Sequence, residues 1–544
     1  MAELTLNRPA IAVKFPSGIL KKVLVALYFV ALATIGGQLF FPDQLASATH
    51  GFGLFQARTQ VNQDQVVIAY SSIPKQLDPT LFDPLTRSYL ADVYEGLVRT
   101  DRNLKIESGL AVSWGLLDPL TWEFRLRPQV TFHNGQALNQ QDVLFSFDRA
   151  RKSKNSQLKD LLNTIQSVEA KDEDKIVIHT KVPDPLLLNK LSLTYVFPKD
   201  YKTFEVPMGT GPYQFERKTS DTMTLQRFDS YYGQKPIYKQ VMLKAIEDPD
   251  KRVEALKAGE VQLLANLPPS SACSADDAAK NPGQCHAIGD PNLLVKSVPS
   301  LEVSFLVFNQ ANPFFKDVAV RKALMQAFDA QVFVDQAFGF ARTVGQFVSS
   351  GVFGFNPEIQ KMGYDMEAAK MAVDKALAGR FEQLSLTFDY PDSLEAVGSY
   401  VKTQLTDLGL DVTLNPLSQA DLQKKISSGT SDFYFLGWRS ELGDASDFLQ
   451  AVGHSKDLGN GYGLFNGSHA TDKKVDELIS ASQQNLDAEK RLQQLQQVMK
   501  LLVQDDVMGV PLFEADLIFA FSNKFDFTPR LDGYIHAAEI KARS

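Results

Sequence analysis

Residues 120–150, LTWEFRLRPQVTFHNGQALNQQDVLFSFDRA, predict a strand, a tight turn and a capped helix in direct succession. Trp122, Phe124 and Leu126 alternate with charged residues, which is the period-2 pattern of a strand with one buried face. The pair Asn134-Gly135 suits a tight turn, because both residue types tolerate positive backbone angles. The first half of this stretch therefore reads as a strand leading into a turn.

A capped helix follows the turn. Asn139 is a preferred N-cap residue, and Asp142 stands three residues later as an acidic variant of the capping box. The apolar residues after the cap recur on one helical face and are Val143, Leu144, Phe147 and Ala150.

The same stretch resembles the signature WEFRLRxGVxFHDGxPLTAEDVxFSxxR of family 5, the peptide, dipeptide and nickel class of extracellular solute-binding proteins that serve ABC importers. Further segments resemble the family in the family's order, so that the resemblance covers most of the chain from about Val66 onward. These segments are residues 77–79, 94–97, 109–114, 209–213, 255–261 and 320–324.

The resemblance implies an α/β, two-lobed periplasmic-binding-protein-like (Venus flytrap) fold with an extra small domain in the first lobe. It also implies a binding protein rather than an enzyme, no cofactor, a monomer, and ABC permease subunits as partners. We expect residues 1–48 to form an export signal or membrane anchor and 49–65 a linker. The expected ranges are 66–106, 206–300 and 516–544 for lobe 1, 107–205 for its extra domain, and 301–515 for lobe 2.

Composition agrees with a large soluble receptor. The 544 residues are 44% hydrophobic and 22% charged, which is enough apolar material for more than one core. The formal charge of −8 argues against nucleic acid as a partner, because phosphate binding needs a concentrated basic surface.

The N-terminal segment predicts export. Four basic residues precede the uncharged apolar run 23–41, which is 19 residues long and close to the length that spans a bilayer. This charge order places the N-terminus inside and the remaining chain outside, in the periplasm or at the outer face of the cytoplasmic membrane. Ala46-Ser47-Ala48 fits a signal cleavage site, so cleavage after Ala48 and tethering by residues 23–41 are both open. No Cys near the run offers a lipid anchor, and without residues 1–48 the charge becomes −10.

The two cysteines, Cys273 and Cys285, lie in the polar segment SACSADDAAKNPGQC. Two cysteines close in sequence outside the cytoplasm favour a disulfide, which in the chain-entropy model contributes roughly 3 kcal/mol for a loop of about this size. Two exposed thiols and a metal pair with His286 are the alternatives.

The rest of the chain alternates strands and helices without a strict βαβ rhythm. We expect one helix with Asp248 as its cap and Pro249 at its first position, and a second over 317–337. The predicted strands are residues 66–70, 176–180, 224–228, 241–246, 303–309, 384–390 and 432–438.

Motifs for catalysis are missing from the sequence. It contains no G-x-S-x-G elbow, P-loop, H-E-x-x-H, EF-hand or dinucleotide fingerprint. The seven histidines are scattered, and His133 belongs to the turn, so we expect no metal site. An exported hydrolase remains the alternative to a receptor, because glycosidase carboxylate pairs leave no sequence motif.

The segment 432–449, DFYFLGWRSELGDASDFL, carries the best candidate ligand site, because an apolar strand leads into a polar loop. Peptide-binding relatives have G-W-x-x-D-x-x-D-P at this point, and the first acid pairs with the ligand's α-ammonium. Trp438 matches, Glu441 stands where Asp is usual, and Asp444 is followed by Ala instead of Pro. The candidate contacts are Trp438, Glu441, Arg439 and Asp444; the alternative is a core role for Trp438 and an ion pair between Glu441 and Arg439 or Arg342.

Two further segments are candidates for lining the cleft, and they contribute Ser72, Gly209 and Tyr213. Glycines allow the backbone to approach an extended ligand closely, although plain turns and core packing explain these residues equally well.

A receptor outside the membrane acts by capture and a change of shape, since it has no ATP to use. A solute bound between two lobes stabilises the closed form. An oligopeptide or similar small solute suits such a cleft, because main-chain hydrogen bonds give affinity without regard to side chains. Nickel chelates, haem, opines and oligosaccharides, which relatives bind, are alternative solutes.

We predict that Cys273 and Cys285 form a disulfide. Alkylation of the exported protein without reduction should add no mass, whereas alkylation after reduction should add two groups. Two alkylated cysteines in the unreduced protein would refute the bridge.

Overall fold

The computed structural model describes residues 64–273, 290–337, 339–377 and 385–543. In these ranges no helix has both the length and the apolar character needed to cross a bilayer. The predicted export segment 1–48 and Cys285 lie outside the described residues. Cys273 is buried just after a short helix, and its bridge to Cys285 stays a prediction.

The strands and helices are numbered here in chain order. The strands are β1 (Gln65–Tyr70), β2 (Glu95–Gly96), β3 (Val98–Thr100), β4 (Ile106–Ser108), β5 (Ala111–Asp118), β6 (Thr121–Leu126), β7 (Ile165–Lys171), β8 (Lys175–Thr180), β9 (Tyr195–Val196), β10 (Tyr213–Lys218), β11 (Thr222–Arg227), β12 (Gln240–Ala245), β13 (Leu263–Leu264), β14 (Leu293–Phe308), β15 (Ala341–Thr343), β16 (Leu386–Pro391), β17 (Val412–Leu417), β18 (Phe433–Arg439), β19 (Gly509–Ser522), β20 (Phe525–Asp526) and β21 (Lys541–Ala542). The helices are α1 (Pro84–Leu90), α2 (Gln140–Lys152), α3 (Leu187–Ser192), α4 (Pro249–Lys257), α5 (Pro269–Ala272), α6 (Val318–Ala327), α7 (Gln331–Gln336), α8 (Met366–Leu377), α9 (Glu395–Asp407), α10 (Gln419–Ser428), α11 (Ser446–Phe448), α12 (Lys473–Ser482) and α13 (Ala488–Lys500).

One mixed sheet runs through both lobes. Its order is β10-β11-β12-β1-β13-β19-β14-β18-β16-β17, with β15 paired to β19. Strands β10 to β13 and β1 form the lobe 1 side, and β16 to β18 form the lobe 2 side. The long strands β14 and β19 connect the two sides, and their register shifts between Pro299 and Val303. The lobe boundaries expected at 300/301 and 515/516 fall inside these two strands.

Strand β1 is apolar and buried from Val66 to Tyr70 because both faces of the lobe 1 sheet are covered. Val66 and Ile68 pack into one buried cluster, whereas Val67 and Ala69 pack into another. Such two-sided burial is typical of parallel strands, and β1 pairs in parallel with β12 and β13.

The strand, turn and helix predicted over 120–150 are confirmed in the small domain, whose sheet has the order β5-β6-β8-β7. Gly135 has a φ of +83°, and Asn139 and Asp142 form the complete capping box of α2. His133 fixes the turn: its Nε2 donates to the Gly211 carbonyl at 3.0 Å, and its Nδ1 accepts from the Gly209 amide at 3.3 Å. Burial lowers the pKa of His133 to about 4, so the neutral ring makes both bonds.

Two expectations for the second half need correction. The helix expected over 317–337 is two helices, α6 and α7, because Phe328, in the connection between them, has an extended backbone and is buried in the core. The strand expected at 303–309 is the second half of β14, whose 16 residues extend back into lobe 1.

Candidate functional site

The carboxyl ends of parallel strands from both lobes meet between the lobes. Strands β1, β12 and β13 are parallel neighbours in lobe 1, and β16 runs parallel to β17 and β18 in lobe 2. Ser71 and Asn266 follow strand ends in lobe 1, Arg439 ends β18, and all three line one small cavity of about 60 Å³. Ligands of open α/β sheets bind at such carboxyl ends.

A larger cavity of about 490 Å³ lies beside the first. Lobe 1 supplies most of its wall, including Arg87, Tyr195 and Tyr534, while Glu441 and Leu442 from the loop after β18 close it from lobe 2. We call it the interlobe cavity. Its volume falls in the range of roughly 300–1,000 Å³ that holds a whole small ligand.

A third cavity of about 270 Å³ opens in lobe 2, and we call it the lobe 2 cavity. Its wall includes Trp438, Phe465 and Glu302. Glu441 lines both this cavity and the interlobe cavity, so the two spaces meet at its side chain.

Arg439 positions the loop at this junction. Its Nε lies 3.2 Å from a Glu441 carboxylate oxygen, and its Nη2 donates to the Asp532 carbonyl at 2.8 Å. Asn189 of lobe 1 donates to the Leu442 carbonyl at 3.1 Å. The loop after β18 therefore contacts lobe 1 through Arg439 and Leu442, and the predicted alternative of an Arg439–Glu441 ion pair is present.

Glu302 is a second carboxylate at Arg439 that the sequence analysis missed. The two residues are directly opposite each other on β14 and β18, and Glu302 is 6% exposed. Burial raises the pKa of Glu302 to about 7, and the attraction of Arg439 offsets this only in part while Glu441 adds repulsion. Glu302 is the one charged residue in the apolar run 298–308, which is a signal that could have found it.

Arg87 is a buried cation that the sequence analysis also missed. Its guanidinium lies 4.0 Å from the centre of the Tyr195 ring, and its Nη1 donates to the Leu193 carbonyl at 2.8 Å. Arg87 is 1% exposed, yet no carboxylate in the described part of the chain forms an ion pair with it. A buried charge of this kind calls for an anionic partner.

Asp444, predicted as a ligand contact, forms a buried ion pair with Arg491. Its two oxygens accept from Arg491 Nη1 and Nη2 at 2.7 and 2.8 Å, and one also accepts from the Ser446 hydroxyl. Both partners are buried. The carboxylate of Asp444 is therefore already paired, which favours a structural role, and its contact with a ligand stays a prediction.

Trp438 packs against the lobe 2 core and also borders a cavity, and its contact with a ligand stays a prediction. Its ring packs edge-on against Phe448 and Phe465 of the lobe 2 core, with centroid distances of 6.1 and 6.0 Å. It is nevertheless only half-buried and lines the lobe 2 cavity.

The other three candidates lie away from the cavities. Tyr213 is fully buried, and its hydroxyl donates to the Tyr238 carbonyl. Gly209 packs so closely on Val93 that an added Cβ would lie 2.0 Å from the Val93 carbonyl oxygen, which explains the glycine without a ligand. Ser72 is exposed and its carbonyl accepts from Tyr89, while the neighbouring Ser71 lines the small cavity.

Comparison with known proteins identifies a family and a fold. Residues 105–460 match the family model described as bacterial extracellular solute-binding proteins, family 5 Middle. The chain is 24% identical over 505 residues to the probable D,D-dipeptide-binding periplasmic protein DdpA of Escherichia coli, covering 88% of this chain and 94% of that protein.

Solved structures show the same two-lobed fold. HbpA2 from Haemophilus parasuis superposes with a TM-score of 0.78 at 21% identity, over 88% of this chain and 100% of that one. DppA from Helicobacter pylori in complex with the peptide STSA has a TM-score of 0.68 at 22% identity, over 88% and 98%.

We predict that Asp444→Asn destabilises the fold, because it leaves the buried Arg491 guanidinium without its counter-ion. The free energy of unfolding should fall by about 3–5 kcal/mol. Denaturant melts beside the exposed control Asp374→Asn measure the difference. Equal midpoints for the two variants would contradict the structural role.

Proposed function

Because the chain belongs to family 5 of the bacterial extracellular solute-binding proteins, we propose that it captures a peptide-like solute outside the cytoplasmic membrane and delivers it to the permease of an ABC importer. The probable dipeptide-binding DdpA and the peptide complex of DppA support the solute class. The apolar run 23–41 supports export, with cleavage after Ala48 or tethering as the two outcomes.

The observation that carries the peptide assignment is that the interlobe cavity has, on its lobe 1 side, a buried cation without an acidic partner among the described residues and, on its lobe 2 side, a carboxylate. Lobe 1 presents the Arg87 guanidinium, which lacks a carboxylate partner among the described residues, and lobe 2 presents the Glu441 carboxylate. A peptide carries a carboxylate at one end and an ammonium at the other. Charge pairing at both ends fixes its orientation while the backbone supplies hydrogen bonds.

Closure follows from the same geometry. Glu441 belongs to lobe 2 and Arg87 to lobe 1, so a solute that pairs with both side chains stabilises the form in which the lobes approach each other. The Arg439–Asp532 and Asn189–Leu442 hydrogen bonds join the lobes at the same place. A permease can then distinguish the loaded from the empty receptor by its shape.

Native mass spectrometry of the purified exported protein tests this function. We expect a bound small solute that is released unaltered on denaturation and is peptide-like by fragmentation. A hydrolase would instead turn the added solute over, and a metal chelate or a sugar in the cavity would contradict the peptide assignment.

We predict that Glu441→Ala weakens binding of the co-purified peptide by about 2–5 kcal/mol, because the ligand ammonium loses its partner in a closed cleft. Glu441→Asp should keep most of the affinity, and Glu441→Gln should lose most of it. Calorimetry run beside thermal melts measures both effects.

The control is Glu477→Ala on the exposed face of α12, which should change neither affinity nor melting temperature. If Glu441→Ala lowers the melting temperature and leaves affinity unchanged, Glu441 serves only its pair with Arg439.

A further inference from the structure

The lobe 2 cavity is small and opens beside the interlobe cavity, a position suited to one side chain of a bound solute. At about 270 Å³ it lies below the usual range for small-molecule sites. Its wall includes Pro391 at the end of β16, Gln419 just after β17, and Arg439 at the end of β18. It therefore occupies the crevice outside the carboxyl ends of three parallel strands, beside the junction at Glu441.

The charges around this cavity are unbalanced. Glu302 and Glu441 are two carboxylates, and Arg439 is the one cation among the described residues of the wall. Arg439 forms its ion pair with Glu441 and donates to the Asp532 carbonyl. The one guanidinium is thus engaged by Glu441 and a carbonyl and forms no ion pair with Glu302.

Glu302 is the carboxylic acid in this wall that has no ion-pair partner among the described residues. Its side chain is more than nine-tenths buried and borders the cavity, and in the described part of the chain no hydrogen bond or ion pair holds its carboxyl. A buried carboxyl without a partner is costly, and the cost is removed when a cation enters beside it. The raised pKa of Glu302 has the same origin in burial.

The remaining wall also suits a cation on an apolar stem. Trp438 and Phe465 provide aromatic rings, Leu436 provides aliphatic surface, and Gln423 provides a neutral polar group. Aromatic faces attract ammonium and guanidinium groups, and the methylene stems of such side chains pack well on apolar surface.

We propose that the lobe 2 cavity receives a cationic side chain of the bound solute, with Glu302 as its counter-ion. This rests on the proposed function and deepens it, because it names basic peptides as the preferred solute class. Glu441 remains the partner of the solute's backbone ammonium, and Glu302 determines side-chain selectivity.

Three pairs of tripeptides test this on the exported protein by calorimetry. Each pair is trialanine with either lysine or the uncharged norleucine at position 1, 2 or 3. We expect lysine to bind about tenfold or more tighter than norleucine at one position, the scale of a hydrogen bond to a charged group. Glu302→Gln should reduce that preference to within about twofold while the norleucine peptide keeps its affinity.

The outcomes separate the two proposals. Equal affinity of the lysine and norleucine peptides at every position overturns the cationic pocket and leaves peptide binding intact. A lysine preference that survives in Glu302→Gln removes Glu302 as the counter-ion. Failure of all six peptides to bind, while a non-peptide solute co-purifies, overturns peptide binding and the pocket together.

A control variant and a comparison in the unaltered protein keep the test decisive. Glu358→Gln, on the surface of lobe 2, should retain the lysine preference. If Glu302→Gln fails to fold, the comparison of lysine with norleucine in the unaltered protein still decides whether the pocket selects a cation.

Discussion

The site depends on Arg439, the last residue of β18. Its buried guanidinium pairs with Glu441, lies across from Glu302 and donates to a carbonyl of lobe 1. The Arg439 side chain holds the loop after β18 in place and positions Glu441, which lines two cavities. Its hydrogen bond to Asp532 also connects the two lobes. Because the surroundings are poorly solvated, each of these interactions is stronger than it would be in water, and an unbalanced charge there is more costly.

The fold itself brings Arg439 and its partners together at the boundary between the lobes. Strands β14 and β19 run through both lobes, so the two parallel-strand edges face each other across a continuous sheet. A solute between the edges contacts both lobes at once, and that double contact is the free-energy difference that drives closure. In the proposed function, the buried cation Arg87 on one side and the half-buried carboxylate of Glu441 on the other favour a solute with two charged ends.

Local features were predictable from sequence, and long-range partners were not. The capping box of Asn139 and Asp142 depends on neighbours three residues apart, so the pattern alone predicts α2. Asp444 fits the loop motif equally well, but its partner Arg491 is 47 residues away. Tyr213 and Gly209 were ambiguous because a buried core residue and a ligand contact share the same residue types. The position of Glu302 opposite Arg439 results from the pairing of β14 with β18, which the sequence does not reveal.

Small-angle scattering of the exported protein, with and without a saturating peptide mixture, tests the central claim most directly. If the solute binds between the lobes and holds them together, the radius of gyration decreases on binding. An unchanged radius of gyration, with saturation established by calorimetry on the same sample, would contradict closure around the solute.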